Sequence, residues 1–220
     1  MSDYALITPT NKIVKKFNDL WNTDLKDNEL TIEIFKDVDF DISDLKGELI
    51  KYGRDDETIK RYLNNRDISN FLKQINSIYH TRVKNISKLN ITLDELKELD
   101  VDKFVVNYKE LLGRNEYSFA TKVYSFLYPD KYPIIDSLSA TLIWKYLDPD
   151  RRKKHPKSQW GKYDCYKNAY DAFKSQYNLD KSYKEIDVFL WTYAILIQNY
   201  WENKLGVFKF ESIQYQSDMK

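Results

Sequence analysis

In the stretch SFATKVYSFLYPDKYPIIDS, Ser118 to Ser137, two side chains could do chemistry: Lys122 and Asp136. A lysine amine is a nucleophile once it has lost its proton, and a carboxylate can stabilise positive charge that develops beside it. Around them lie a small-residue entry, an apolar stripe of Phe119, Val123 and Phe126/Leu127, and two prolines, Pro129 and Pro133. Both residues also have an architectural reading. Lysines on amphipathic helices mostly face solvent, which makes Lys122 the outer face of that stripe. Asp136 precedes SLSATLIW, where an aspartate caps the first turn of a helix.

Other chemistries find less support. His80 and His155 stand far apart and Cys165 is the single cysteine, so no metal centre is expected and no cofactor is implied. No serine lies in a strand-turn-helix elbow. The one marked charge run is RRKKHPK, with Arg151, Arg152, Lys153, Lys154 and Lys157, followed by Trp160, Lys162 and Lys167. Such a run is commonly a solvated loop between helices, but with Trp160 and the neighbouring tyrosines it would also make a stacking and phosphate surface.

These residues must be positioned by helices. TPTNKIVKKFNDLWN places Ile13, Phe17 and Leu20/Trp21 on one face, with Thr8 or Thr10 as the cap. DISNFLKQINSIYHTRVKNI carries apolar residues at helical spacing from Ile68 to Val83 behind Asp67. Thr92 and Glu95 form a capping box, a break is expected near Asp100, and Gly113 is a natural stop. A short apolar helix follows Asp136 and ends at DPD. YDCYKNAYDAFKSQY spaces Tyr163, Tyr166, Tyr170, Phe173 and Tyr177 for core packing. The last helix opens with a second capping box, Ser182 and Glu185, and is apolar nearly all round. It therefore belongs at the centre of the core, with Ile186, Phe189, Leu190, Tyr193 and Ile197 buried. Residues 30–42 and 207–215 alternate enough to be irregular or β segments.

The totals agree with this pattern. In 220 residues there are only 5 Gly and 5 Pro, too few for the tight turns of an all-β chain, so an all-α helical bundle is expected. The chain can form one helical domain, 1–220, or two lobes of about 1–90 and 91–220. Lys plus Arg number 35 against 34 for Asp plus Glu, so any nucleic-acid site must be a local patch. One cysteine fits a reducing compartment, and neither a leader nor a membrane span is visible, which points to the cytoplasm.

A family likeness lies in residues 108–138. SFATK, after a helix that ends at Gly113 and a short RNEY connection, resembles the Gly-x-Gly-x-Lys close of the hairpin in the helix-hairpin-helix DNA glycosylases. YPIID resembles the Pro-x-Asp element one helix later in that superfamily. Ser118 and Ala120 then occupy the two glycine positions. They keep the smallness but not the left-handed freedom of glycine, and the interval from Lys122 to Asp136 is shorter than in the family by roughly one helical turn. The resemblance implies a glycosylase-like helical fold, double-stranded DNA as partner and base-excision chemistry in DNA repair. Lys122 would be the nucleophile that forms a Schiff base with the sugar and Asp136 its electrostatic partner. Phosphates would be held by Ser118 and Ala120 of the hairpin, by Arg114, and by the cations of residues 151–157. The alternative is a non-catalytic helical module that binds nucleic acid or a protein partner.

Overall fold

The structure, a computed structural model, describes residues 6–19 and 56–205, with 196–205 as helix backbone. The described residues are all-α, and no strand occurs among them. Residues 30–42 and 207–215, read as irregular or β segments, lie outside the described residues, as does the side chain of Ile197. No helix among the described residues is long and apolar enough to cross a membrane.

Two compact units form from a chain that leaves the first and returns to it. Of the described residues, the first unit takes 6–19 and 136–205, and the second, inserted unit takes 56–135. Among the described residues the chain passes from the second unit to the first between Ile135 and Asp136. Periodicity within helices carries no information about which helix returns to which, so a split by sequence order had no physical signal to follow.

The first unit is built on its last helix. Its elements are α1 (Asn11–Asp19), and, after the inserted unit, α7 (Ser137–Tyr146), α8 (Pro149–Lys154), α9 (Tyr163–Gln176) and α10 (Tyr183–Leu205). Thr10 caps α1 by accepting from the Ile13 N–H (3.2 Å), and the Ser182–Glu185 box opens α10, each backbone N–H meeting the other's side chain. Ile186, Phe189, Leu190 and Tyr193 of α10 are buried, as their spacing predicts. Phe17 of α1 meets Phe189 edge-on at 5.1 Å and Tyr193 at 5.9 Å, and Tyr146 of α7 bridges Phe173 and Phe189. Such ring pairs add roughly 0.5–1.5 kcal/mol each beyond area burial.

The inserted unit holds α2 (Asp56–Asn64), α3 (Ile68–Ile78), α4 (Leu93–Glu98), α5 (Val101–Leu112) and α6 (Tyr117–Leu127). Asp67 caps α3, Thr92 and Glu95 form the full capping box of α4, and Asp100 caps α5, so the expected break is real. Gly113 closes α5 with φ +84°, where any other L residue would be strained. The α3 pattern continues to Val83 in sequence, but the helix stops at Ile78, because His80, Arg82 and Asn85 all take left-handed backbone. In the centre stands α6, buried from Phe119 to Ser125. Phe104 of α5 packs on Phe119 and Tyr124, Phe71 of α3 on Phe126, and the Tyr124 hydroxyl donates to the Leu96 carbonyl at 2.8 Å.

Candidate functional site

Lys122 is not a solvent-facing lysine. It retains 3% of its surface, on a helix buried all round at that level rather than on one stripe. Its Nζ donates to Ser118 Oγ one turn earlier (2.8 Å) and stands 5.8 Å from the centre of the Tyr79 ring, whose hydroxyl donates to Asp56 (2.9 Å). A buried amine needs such partners, since desolvation disfavours the ammonium form and a ring face or hydroxyl offsets part of that cost.

The neighbouring residue holds the second half of the motif. Thr121 Oγ1 donates back to the Tyr117 carbonyl (2.9 Å) and accepts from the Ile135 N–H (3.1 Å), and that bond is buried. Ile135 is the residue before Asp136, as Thr121 is the residue before Lys122. Ile135 is thus tied to the lysine-bearing helix by one side chain within the inserted unit. Sequence reading missed Thr121, because a threonine inside a helix gives no apolar or charged signal.

Asp136 is the N-cap of α7. Its Oδ1 accepts from the Leu138 N–H at 2.8 Å and the Ser139 N–H at 3.3 Å, and the residue is half-buried. Its architectural role is therefore established by geometry. Farther along the same helix, Ser139 donates to Asp187 of α10 (3.1 Å), both fully buried.

The hairpin itself departs from the expected form. Ser118 does not cap α6: the helix starts at Tyr117, with Glu116 in the cap position and no side-chain bond from it. Ser118 is inside the first turn and accepts the lysine amine instead. Ala120 is fully buried and its N–H donates to the Glu116 carbonyl (2.8 Å), so it presents neither surface nor donor to a phosphate. Both results follow from side chains that cannot take left-handed backbone cheaply, so the chain at these positions continues as helix. Arg114 pairs with the buried Glu116 at 2.5 Å. The hydrogen bond and charge of that carboxylate raise the Arg114 pKa still further.

The cation run is also largely committed to the protein. It is not a loop throughout: Asp148 and Pro149 start the short helix α8, which carries Arg151 to Lys154. Arg151 pairs with Asp148, whose carboxyl lies below its ordinary range chiefly because it accepts the Arg151 backbone N–H. Arg152 donates to the Trp144 and Lys145 carbonyls (2.8 and 2.7 Å), closing the C-terminal end of α7. Lys153 approaches Asp150 at 3.9 Å, Lys154 is exposed, and Lys157 begins a 3-10 turn. Trp160 is fully buried between Trp144 and Tyr166, with its indole N–H on the His155 carbonyl. Trp160 therefore has no ring face left to stack on a base, since its ring fills the core. Tyr163, Tyr166, Tyr170 and Phe173 are likewise core residues, as their spacing indicates.

Set against known proteins, the chain matches no family model, no curated protein and no solved structure.

Proposed function

We propose that this protein binds DNA and carries base-excision chemistry of the glycosylase and lyase type, with Lys122 as the amine nucleophile. The observation that carries the reading is the burial of Lys122 on a hydroxyl and a ring face instead of on the solvent side of its helix. Lysines on amphipathic helices ordinarily keep the amine in solvent, and desolvation is one route to an uncharged, reactive lysine. In the reaction, the amine nitrogen would form a bond to the sugar carbon C1′ as the bond to the base breaks. The base leaves with the electron pair and takes up a proton, and opening of the sugar leaves an imine on Lys122. Asp136 is assigned the role of carboxylate that favours positive charge on the sugar on the family likeness of YPIID.

Borohydride added during incubation with duplexes that contain abasic or oxidised positions should reduce that imine and leave a covalent protein-DNA adduct. Lys122→Gln should lose the adduct and retain duplex binding. Adduct formation that persists in this variant would remove Lys122 from the role.

A second reading, a non-catalytic helical module that binds nucleic acid or a protein, is favoured by one observation. Asp136 already spends an oxygen on two backbone N–H groups as a cap. Absence of an adduct across a panel of lesions, with duplex binding intact, would select it.

A further inference from the structure

We infer that the loop from His80 to Lys88, in the same unit as Lys122, is the surface that grips the phosphates of duplex DNA. The inference rests on the reading of the chain as a DNA-binding protein and not on its chemistry. Arg82, Lys84 and Lys88 are exposed, and none of the three makes an ion pair or side-chain hydrogen bond among the described residues. This separates them from Arg114, Arg151 and Arg152, each of which already holds a partner in Glu116, Asp148 or the α7 carbonyls. From Ile68 to Leu93 the chain has no Asp or Glu at all, so no carboxylate within that segment competes with an incoming phosphate.

The loop is built, not merely exposed. His80, Arg82 and Asn85 have φ of 47°, 57° and 60°, a left-handed backbone that is strained for L residues. Asn76 holds this conformation: its side chain accepts from the Val83 N–H (2.8 Å) and the Thr81 hydroxyl (2.7 Å) and donates to the Val83 carbonyl (3.1 Å). Asn85 ties the far side to the Leu111 carbonyl (3.2 Å), one turn before the hairpin. The alternation this produces turns Val83 and Leu89 inward and His80, Arg82, Lys84 and Lys88 outward. A protein partner would want an apolar centre to its interface, and here Val83 and Leu89 are withdrawn and only Ile86 is half-exposed. Cations on a fixed, strained frame suit a polyanion held by its backbone.

The test is duplex binding by the full chain, measured with a short fluorescent duplex of arbitrary sequence across a salt series. Alanine at Arg82, Lys84 and Lys88 together should weaken binding at least about tenfold at low salt. It should also make the slope of log K against log salt shallower by about 2.7, three phosphates at about 0.9 each. Arg82→Gly alone should lower affinity while raising Tm, a combination that a purely structural arginine would not give. Borohydride trapping of the triple variant at a duplex concentration that saturates it should still give adduct, so loss of grip and loss of chemistry are read separately. Unchanged affinity and slope in the triple variant, with wild type bound, would overturn the loop assignment and leave the DNA reading standing. Failure of the wild type to bind duplex would overturn both. A polyglutamate peptide that binds as tightly as the duplex and is lost in the same variant would give the loop to an acidic protein and overturn the assignment to DNA.

Discussion

At the scale of single residues, Asp136 separates capping from catalysis most cleanly. Asp136→Asn keeps an oxygen for the Leu138 and Ser139 N–H groups, so thermal stability should change little, whereas Asp136→Ala should cost about 0.5–2 kcal/mol. If the charge also serves the reaction, the asparagine variant should form adduct much more slowly at nearly wild-type Tm, as borohydride trapping and a melt would show together. Thr121 gives a second prediction. Thr121→Val preserves shape but leaves the buried Ile135 N–H without its acceptor, which should cost about 1–3 kcal/mol by denaturant titration. Lys122 was legible as a candidate by its type and by SFATK, but its burial was not. A helical pattern counts lysine as polar, and only the neighbours contributed by α3 and α5 decide that the whole circumference of α6 is enclosed.

At the scale of elements, helix ends were the legible part of the fold. Caps are local: Thr92 with Glu95, Ser182 with Glu185, and Gly113 carry their signals within a few residues, and each stands where those signals place it. Where a boundary depended on strain, the signal failed. The end of α3 is set by left-handed His80 and Arg82, residue types that announce no stop, and Asn76 enforces it from the helix itself. The basic run shows the same limit, because a count of cations does not reveal the carbonyls and carboxylates that absorb them. Gly113→Ala tests a readable end. A Cβ there meets nothing within 4 Å, so the loss should be backbone strain alone, about 1 kcal/mol, with no change in the shape of the unfolding transition.

At the scale of the whole molecule, the all-α composition was readable from few Gly and Pro and from periodicity, whereas the interrupted order of the units was not. The dense tyrosines have a consequence for pH. Desolvation is the chief cause that raises the pKa of Tyr124, Tyr146, Tyr183 and Tyr193 above the ordinary tyrosine value. The unfolded chain ionises near pH 10 while these hydroxyls stay protonated in the fold, so the unfolded state binds fewer protons there. The contribution of these tyrosines to stability should therefore be level below about pH 10 and be lost as pH rises through and beyond it. Melts between pH 8 and 11, followed with tyrosinate absorbance, should show the hydroxyls ionising together with unfolding rather than before it. Within the first unit, Leu190→Ala should cost about 2–5 kcal/mol, since the side chain is fully buried on the central helix.

The contact of α1 with α10 bears on the order of assembly. Phe17 meets Phe189, Asn18 donates to the Glu185 carbonyl (2.9 Å), and the Ile7 N–H reaches the Tyr193 hydroxyl (3.0 Å), all across most of the chain's length. A nascent chain cannot make any of these contacts until α10 has left the ribosome, while residues 56–135 are already complete. Closing so long a loop is entropically unfavourable before its reward arrives, which places this docking after the folding barrier. Phe17→Ala should then accelerate unfolding and leave the refolding rate nearly unchanged, and stopped-flow chevrons would register it as a low φ-value. Until α10 has been made, the helix that begins the described chain waits for its partner, and its apolar face is the one a chaperone would meet first.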